Sequence, residues 1–375
     1  MRRTPTGHSV GPSARRHPEW LAIALLLLPA ALPATDSFEL FPPSVPPAHY
    51  FAQSGGGGFP PVELEFPRSL DESAEGVRLI LAASDLQGLS SRPTALGAAA
   101  PKAPNRTLTV LLTAGVLAGS AVSSLGVGHE REAFHFGNEE WFGSETYAGG
   151  ADKASHFVFY NGLSRELGVT LSNMGYDRKR ATTMAFATAA AAGLLVEVGD
   201  AFTVFGFGWE DLVMDTLGAG SAAMITQYGL DDTVGFRFGK VTAEQPPVCC
   251  RTPGVGKDYS QEIYTADLKL AGFARRLSLR PGPARFLLLS MTYGTKGYRY
   301  SPPEFRQRNI GIELGLNFPE ILSAVGVPET TLWGRALYFF FNFFRIPFTA
   351  VGFHYDLNHG KWHGPDAGNV YDPGP

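Results

Sequence analysis

Cysteine is nearly absent: the 375 residues hold two, Cys249 and Cys250, and they are adjacent. Neighbouring α-carbons lie ~3.8 Å apart, below the usual disulfide span, so a bridge between the two is not expected, and one vicinal pair gives no zinc-ligand spacing. Basic runs are also missing. Lys and Arg number 31 against 35 Asp and Glu, for a formal charge of -4. A nucleic-acid partner would call for a clustered basic footprint, so that class is excluded. Missing too are a Ser-centred elbow, a Walker loop and a His-Glu-x-x-His pair, and therefore no complete catalytic motif names a reaction.

Glycine (44) and proline (28), by contrast, are abundant. Much of both lies between Thr35 and Asn105, a composition that cannot bury a core and reads as a disordered linker over 35–105. Ahead of it, Arg2, Arg3, Arg15 and Arg16 precede the apolar run Trp20–Leu28 and then small residues and proline up to Ala34, the pattern of a secretory signal over 1–34. The apolar run is nine residues, about half of a spanning helix. No cysteine stands near the cleavage region, so export without lipidation is expected.

The centre of the chain reads as helical. Thr107–Gly128 runs 22 residues without a charge, long enough to cross a bilayer and rich in the small residues of tight helix contacts. Asp152–Leu171 starts with a carboxylate, which suits a helix N-terminus. Arg178-Lys179-Arg180 opens a third helix whose 16 residues Ala181–Val196 carry no charge. A fourth begins at Glu210-Asp211 and runs to about Tyr228, with Gly218 and Gly220 permitting close backbone approach. The expected fold is mainly α: about four apolar, small-residue-rich helices over 106–230, as membrane spans or as a membrane-adjacent bundle.

Beyond Leu230 the pattern turns mixed, giving a smaller region over 231–357 with one or two β-hairpins. Val234–Gly239 alternates like a strand, and Arg285–Tyr293 and Ile310–Leu316 form the arms of a hairpin. Tyr259–Leu279 reads as a helix, and Thr330–Phe344 as an aromatic helix stopped by Pro347, with Arg335 and Arg345 placed to snorkel to an interface. The polar, Gly/Pro-rich tail over 358–375 is expected to fray.

Chemistry concentrates in the helical centre. Asp152, Lys153 and His156 open one helix, Glu197 and Asp200 close another, and Asp211 and Asp215 lie on one face of a third. Carboxylates among small apolar residues are costly unless paired, hydrogen-bonded or bound to a cation, so these seven residues are expected to meet. Three readings stay open. One is structural, with acids favouring helix starts and Lys153 and His156 pairing across the bundle. A second is a binding site for a divalent cation or a cation-bearing lipid head group, ligated by His156, Glu197, Asp200, Asp211 and Asp215. The third is catalysis on a lipid or lipid phosphate, with His156 as acid/base. The other histidines, His129, His135, His354, His359 and His363, read as surface or interfacial.

The run FHFGNEEW, then DKASHF, EVGD and DLVMDTLGAG, resembles a bacterial family of unknown function labelled a predicted periplasmic lipoprotein. Later stretches, including LLLSMTYGTKG and RQRNIGIELGLNF, are similar to its longer members, so the likeness spans about Phe134–Asp356. The helical core also resembles VanZ-like membrane proteins, with Asp215 where that pattern has Asn. The resemblance implies an exported protein of the cell envelope, at the inner membrane or membrane-associated in the periplasm, with membrane lipid as partner and no known activity.

Overall fold

Alanine spacing sets how the helices pack. The computed structural model describes residues 103–124, 131–240, 242–243, 258–299, 301–366 and 370–371. The signal, nearly all of the 35–105 linker, His129, Cys249 and Cys250 lie outside these residues. Four long helices come first: α1 (Arg106–Ser124), α2 (Ala151–Asn173), α3 (Arg178–Asp200) and α4 (Trp209–Gln227). On α3, Ala181, Ala185, Ala189 and Ala192 share one buried face, and such small side chains let neighbouring axes approach closely. Asp177 caps α3, its side chain accepting from the Arg180 N–H at 3.0 Å.

Between α2 and α4 the approach is closest at Gly218, where an added Cβ would lie 2.2 Å from the Phe157 carbonyl oxygen. Gly220 has no such duty, since its nearest neighbour would be Phe186 at 3.7 Å. Polar side chains inside this contact are satisfied across it: Asn161 Nδ2 donates to Ser221 Oγ at 2.9 Å, and Ser164 Oγ to the Ala219 carbonyl at 3.2 Å. Against α3 lies α1, with Ser124 Oγ donating to the Leu195 carbonyl at 3.3 Å.

The remainder is far more β than the expected one or two hairpins. A seven-stranded sheet runs in the order β6-β1-β3-β4-β5-β7-β8. Its strands are β1 (Val234–Lys240), β3 (Glu262–Lys269), β4 (Leu287–Lys296), β5 (Gln307–Leu316), β6 (Phe344–Arg345), β7 (Ala350–Asp356) and β8 (Lys361–Asp366); β2 (Thr242–Ala243) pairs separately with β9 (Val370–Tyr371). Within the seven-stranded sheet all neighbours are antiparallel except β6, which joins β1 in parallel; β2 and β9 are parallel as well. Short helices α5 (Leu270–Arg276), α6 (Phe318–Ala324) and α7 (Leu332–Phe343) link strands.

The sheet curls. Arg345 on the edge strand β6 donates from Nη2 to Glu313 Oε2 at 2.9 Å, although β5 is four places away in strand order. In a flat sheet that displacement would be about 19 Å, at ~4.8 Å per strand. The concave side is polar: Asp267, Ser290 and Glu313 are in register across β3, β4 and β5 and are all buried. Asp267 is clamped by Arg237, with Nε to Oδ2 at 2.5 Å and Nη2 to Oδ1 at 3.1 Å, and accepts from Ser290 Oγ at 2.7 Å. The convex side is apolar, as the row Phe236, Ala266, Met291, Ile312 and Phe353 shows.

Several expectations are corrected here. Tyr259–Leu279 is a strand with one short helix, because β3 is buried on both faces over its first half and its residues show no clean apolar–polar alternation. The tail is paired in β8, where Tyr355 faces Trp362, and again in β9. Arg345 does not snorkel; it is buried against Glu313. His354 is buried and stacks on His363 with ring centres 5.1 Å apart, so it is not a surface residue.

Candidate functional site

Lys153 is the hub. It sits in the first turns of α2, almost fully buried, and reaches three carboxylates: Glu139 Oε2 at 2.5 Å, Asp211 Oδ1 at 2.8 Å and Asp152 Oδ2 at 3.1 Å. One turn on, His156 Nδ1 lies 2.7 Å from Asp215 Oδ1, and its Nε2 faces Asp152 Oδ1 and Asp211 Oδ1, each at 3.9 Å. The other Asp152 contacts are hydroxyls: Tyr259, from the segment before β3, donates to Oδ1, and Tyr147 also hydrogen-bonds the carboxylate.

Glu197 enters from the last turn of α3. Its Oε2 accepts from the backbone N–H of Gly208 at 3.0 Å, the residue that caps α4, so it satisfies a donor that α4 leaves open. Glycine is required at two walls of the cluster. A Cβ on Gly193 would meet Asp215 Oδ2 at 2.5 Å, and one on Gly208 would meet Asp211 Oδ2 at 2.8 Å and Glu197 Oε2 at 2.9 Å.

The sequence therefore brings together six of its seven expected residues. Asp200 is half-buried at the end of α3 and joins neither candidate ligand group, although its charge acts on Glu197. Three partners were not anticipated: Glu139, Tyr147 and Tyr259. Glu139 comes from the loop before α2, held over the helix ends by backbone bonds such as Glu132 N to Phe202 O at 2.9 Å and Gly137 N to Phe207 O at 3.0 Å. Its signal was available in the FHFGNEEW motif. Tyr259, 107 positions after Asp152, had none.

Burial and charge pull the titrations apart. Burial, reinforced by the Asp152 and Asp211 charges, pushes Glu139 up to about 8, so it is protonated at neutral pH. For Asp152 burial acts in the same direction, but Lys153, His156 and the tyrosine hydroxyls outweigh it and hold the carboxyl well below its usual range. Burial opposes the charge on Lys153 and on His156, and the surrounding carboxylates overcome it and keep both protonated. Asp211 and Asp215 are raised by burial, against the pull of His156. Glu139, Asp152, Glu197, Asp211 and Asp215 are five carboxyls around two bases, which if fully ionised would leave three negative charges unmatched.

Two groups within the cluster can present ligand atoms to one ion: Asp152, His156 and Asp211, and His156, Glu197 and Asp215, each with atoms within 4.8 Å of one another. Tetrahedral ligands bonded at ~2.0–2.2 Å stand about 3.3–3.6 Å apart, so side chains spaced by up to 4.8 Å would close by as much as about 1.5 Å around an ion. Asp215 Oδ2, on a residue with no exposed surface, has no hydrogen-bond partner among the described residues.

One family matches. Residues 138–227, about a quarter of the chain, are similar to the family described as Predicted periplasmic lipoprotein (DUF2279), a domain of unknown function. No curated protein and no solved structure matches, and no comparison supports the VanZ-like resemblance. The matched segment holds Glu139, Asp152, Lys153, His156, Glu197, Asp211 and Asp215, every carboxylate and base of the cluster. The likeness supports an exported, envelope-associated protein.

Proposed function

We propose that this is a membrane-associated envelope protein whose helical part binds a divalent cation, or a lipid head group carrying one, at the His156 cluster. The observation that carries the reading is the Asp215 carboxylate: one oxygen is held by His156 at 2.7 Å, and the other is fully buried without a donor beside a second carboxyl from Glu197. Leaving such an oxygen unmatched costs about 1–3 kcal/mol or more for a charged group, and a cation removes that cost. One imidazole with several carboxylates suits Zn²⁺ or Mn²⁺ better than a thiolate-preferring metal. Support for the membrane comes from α1 and α3, both long and apolar enough to cross a bilayer; the apolar window of α1 is only 17% buried, with Val110, Leu111 and Val122 exposed.

Metal content of the purified full chain is the direct test, followed by melting after chelation and re-addition of Mg²⁺, Mn²⁺ or Zn²⁺. The expected result is a rise in Tm with at least one of these ions, because a ligand that binds only the folded form stabilises it by mass action. Asp211→Asn/Asp215→Asn should abolish that rise. No metal in the protein and an unmoved Tm with every ion would leave Lys153, His156 and protonated carboxyls as a purely structural network.

A membrane enzyme acting on a lipid or lipid phosphate is the alternative, favoured by the aligned His156–Asp215 pair, in which a carboxylate orients an imidazole. Hydrolysis of a lipid phosphate by the wild type and not by a His156→Gln variant that remains folded would favour it.

A further inference from the structure

The convex face of the curled sheet has the sidedness of a membrane barrel rather than of a water-soluble one. Along β5, buried Gln307, Asn309, Gly311, Glu313 and Gly315 alternate with outward Ile310, Ile312, Leu314 and Leu316. A sheet curled in water turns its apolar face inward; here the inside holds the Arg237–Asp267 and Arg345–Glu313 pairs. Burying such pairs is expensive, and exposing the apolar face to water would add a second penalty on the same strands.

Cover is present over only part of that face. In the row Phe236, Ala266, Met291, Ile312 and Phe353, the β1 end is covered by α2, where Phe157 meets Phe236 edge-on with ring centres 4.8 Å apart. Further along the same row, Met291, Ile312 and Phe353 are 70%, 59% and 51% exposed. The uncovered band ends at two aromatics, Tyr355 of β7 and Trp362 of β8, beside Ile310 of β5; Tyr293 of the same row is covered by the loop before α2, its ring edge-on to Phe142 and its hydroxyl donating to the Gly149 carbonyl.

We infer that the convex face of β4, β5 and β7 lies against lipid acyl chains. Apolar-out and polar-in alternation, closed off by a belt of tyrosine and tryptophan, is the chemistry of strands facing a bilayer. Strands β4 and β5 are each ten residues, within the ~9–11 that a membrane strand uses. Central strands pair on both sides and leave no open backbone edge at that depth. A second copy of the chain or another protein could also cover an apolar patch, but neither accounts for the aromatic belt or for the exposed apolar side of α1.

The inference rests on the membrane association proposed above, and one experiment separates the two. In the full chain carrying Cys249→Ser and Cys250→Ser, single changes Met291→Cys, Ile312→Cys, Phe353→Cys and, as a water-facing control, Glu329→Cys are labelled with an environment-sensitive fluorophore. Each protein is reconstituted into vesicles of phosphatidylethanolamine and phosphatidylglycerol. Labels at 291, 312 and 353 should lose most of their emission to acyl-chain spin-labelled lipid and little to aqueous iodide, and the label at 329 the reverse. Membrane-bound protein whose three labels are quenched by iodide, or are shielded from both quenchers as at a protein interface, overturns the lipid-facing sheet alone. Protein that does not enter the vesicles, while remaining folded by circular dichroism, overturns the membrane reading as well.

Discussion

At the scale of single residues, Glu139 offers the clearest pH readout. Its carboxyl is raised by burial from 4.5 to about 8, so the folded chain holds a proton that the unfolded chain releases across that range. A raised folded value means stability is greatest below 4.5 and is lost as pH climbs through 8. In chelator, Tm is expected to fall between pH 5 and 8, and Glu139→Gln, which keeps an acceptor for Lys153 and cannot ionise, should flatten that fall. A slope unchanged in Glu139→Gln would assign it to another group. Residue identities within the helices were legible, because a charge in a run of alanine and glycine stands out. Glu139 was legible only through the FHFGNEEW motif that holds it, and Tyr259 not at all: an acid in an aromatic loop looks solvated, and a tyrosine before a strand looks like core, until folding sets them beside Lys153 and Asp152.

Among the elements, the α2–α4 contact gives a paired prediction. Gly218→Ala should destabilise by about 1–3 kcal/mol or more, since its Cβ would be driven into the Phe157 carbonyl and helix backbones shift as units. Gly220→Ala meets only ordinary contact with Phe186 and should gain up to about 1 kcal/mol of helix propensity. Denaturant midpoints of the two variants check the pair; equal losses would mean that the helices are not held at Gly218. Helix positions were readable from their charge-free runs and acidic starts, and α1 to α4 fall within a few residues of the expected segments. Strands were readable only where one face is polar and the other apolar, as in β5; β3, buried on both faces over its first half, imitated a helix. The pairing of β8 with β7 had no local signal, since it depends on a partner rather than on its own composition.

For the whole molecule, the curl depends on charges that meet only after folding, and no periodicity announces that an arginine after an aromatic helix will find a glutamate in a hairpin. Arg345→Met should cost about 3–5 kcal/mol by leaving Glu313 buried without its counter-charge, and Arg345→Met/Glu313→Leu should recover most of the loss. Chemical denaturation in detergent measures both, and a double variant as weak as the single one would show that the sheet needs the ions themselves. The Tyr259 hydroxyl on Asp152 reaches in the other direction, from the sheet into the helical cluster. The segment that resembles the envelope family ends at residue 227, so it carries every charge of the cluster and lacks this donor. A helical fragment cut loose after α4 would expose Asp152 Oδ1 on the side where Tyr259 now seals it, and expressed alone it should open its acidic pocket to solvent, protons and proteases that the intact chain keeps out.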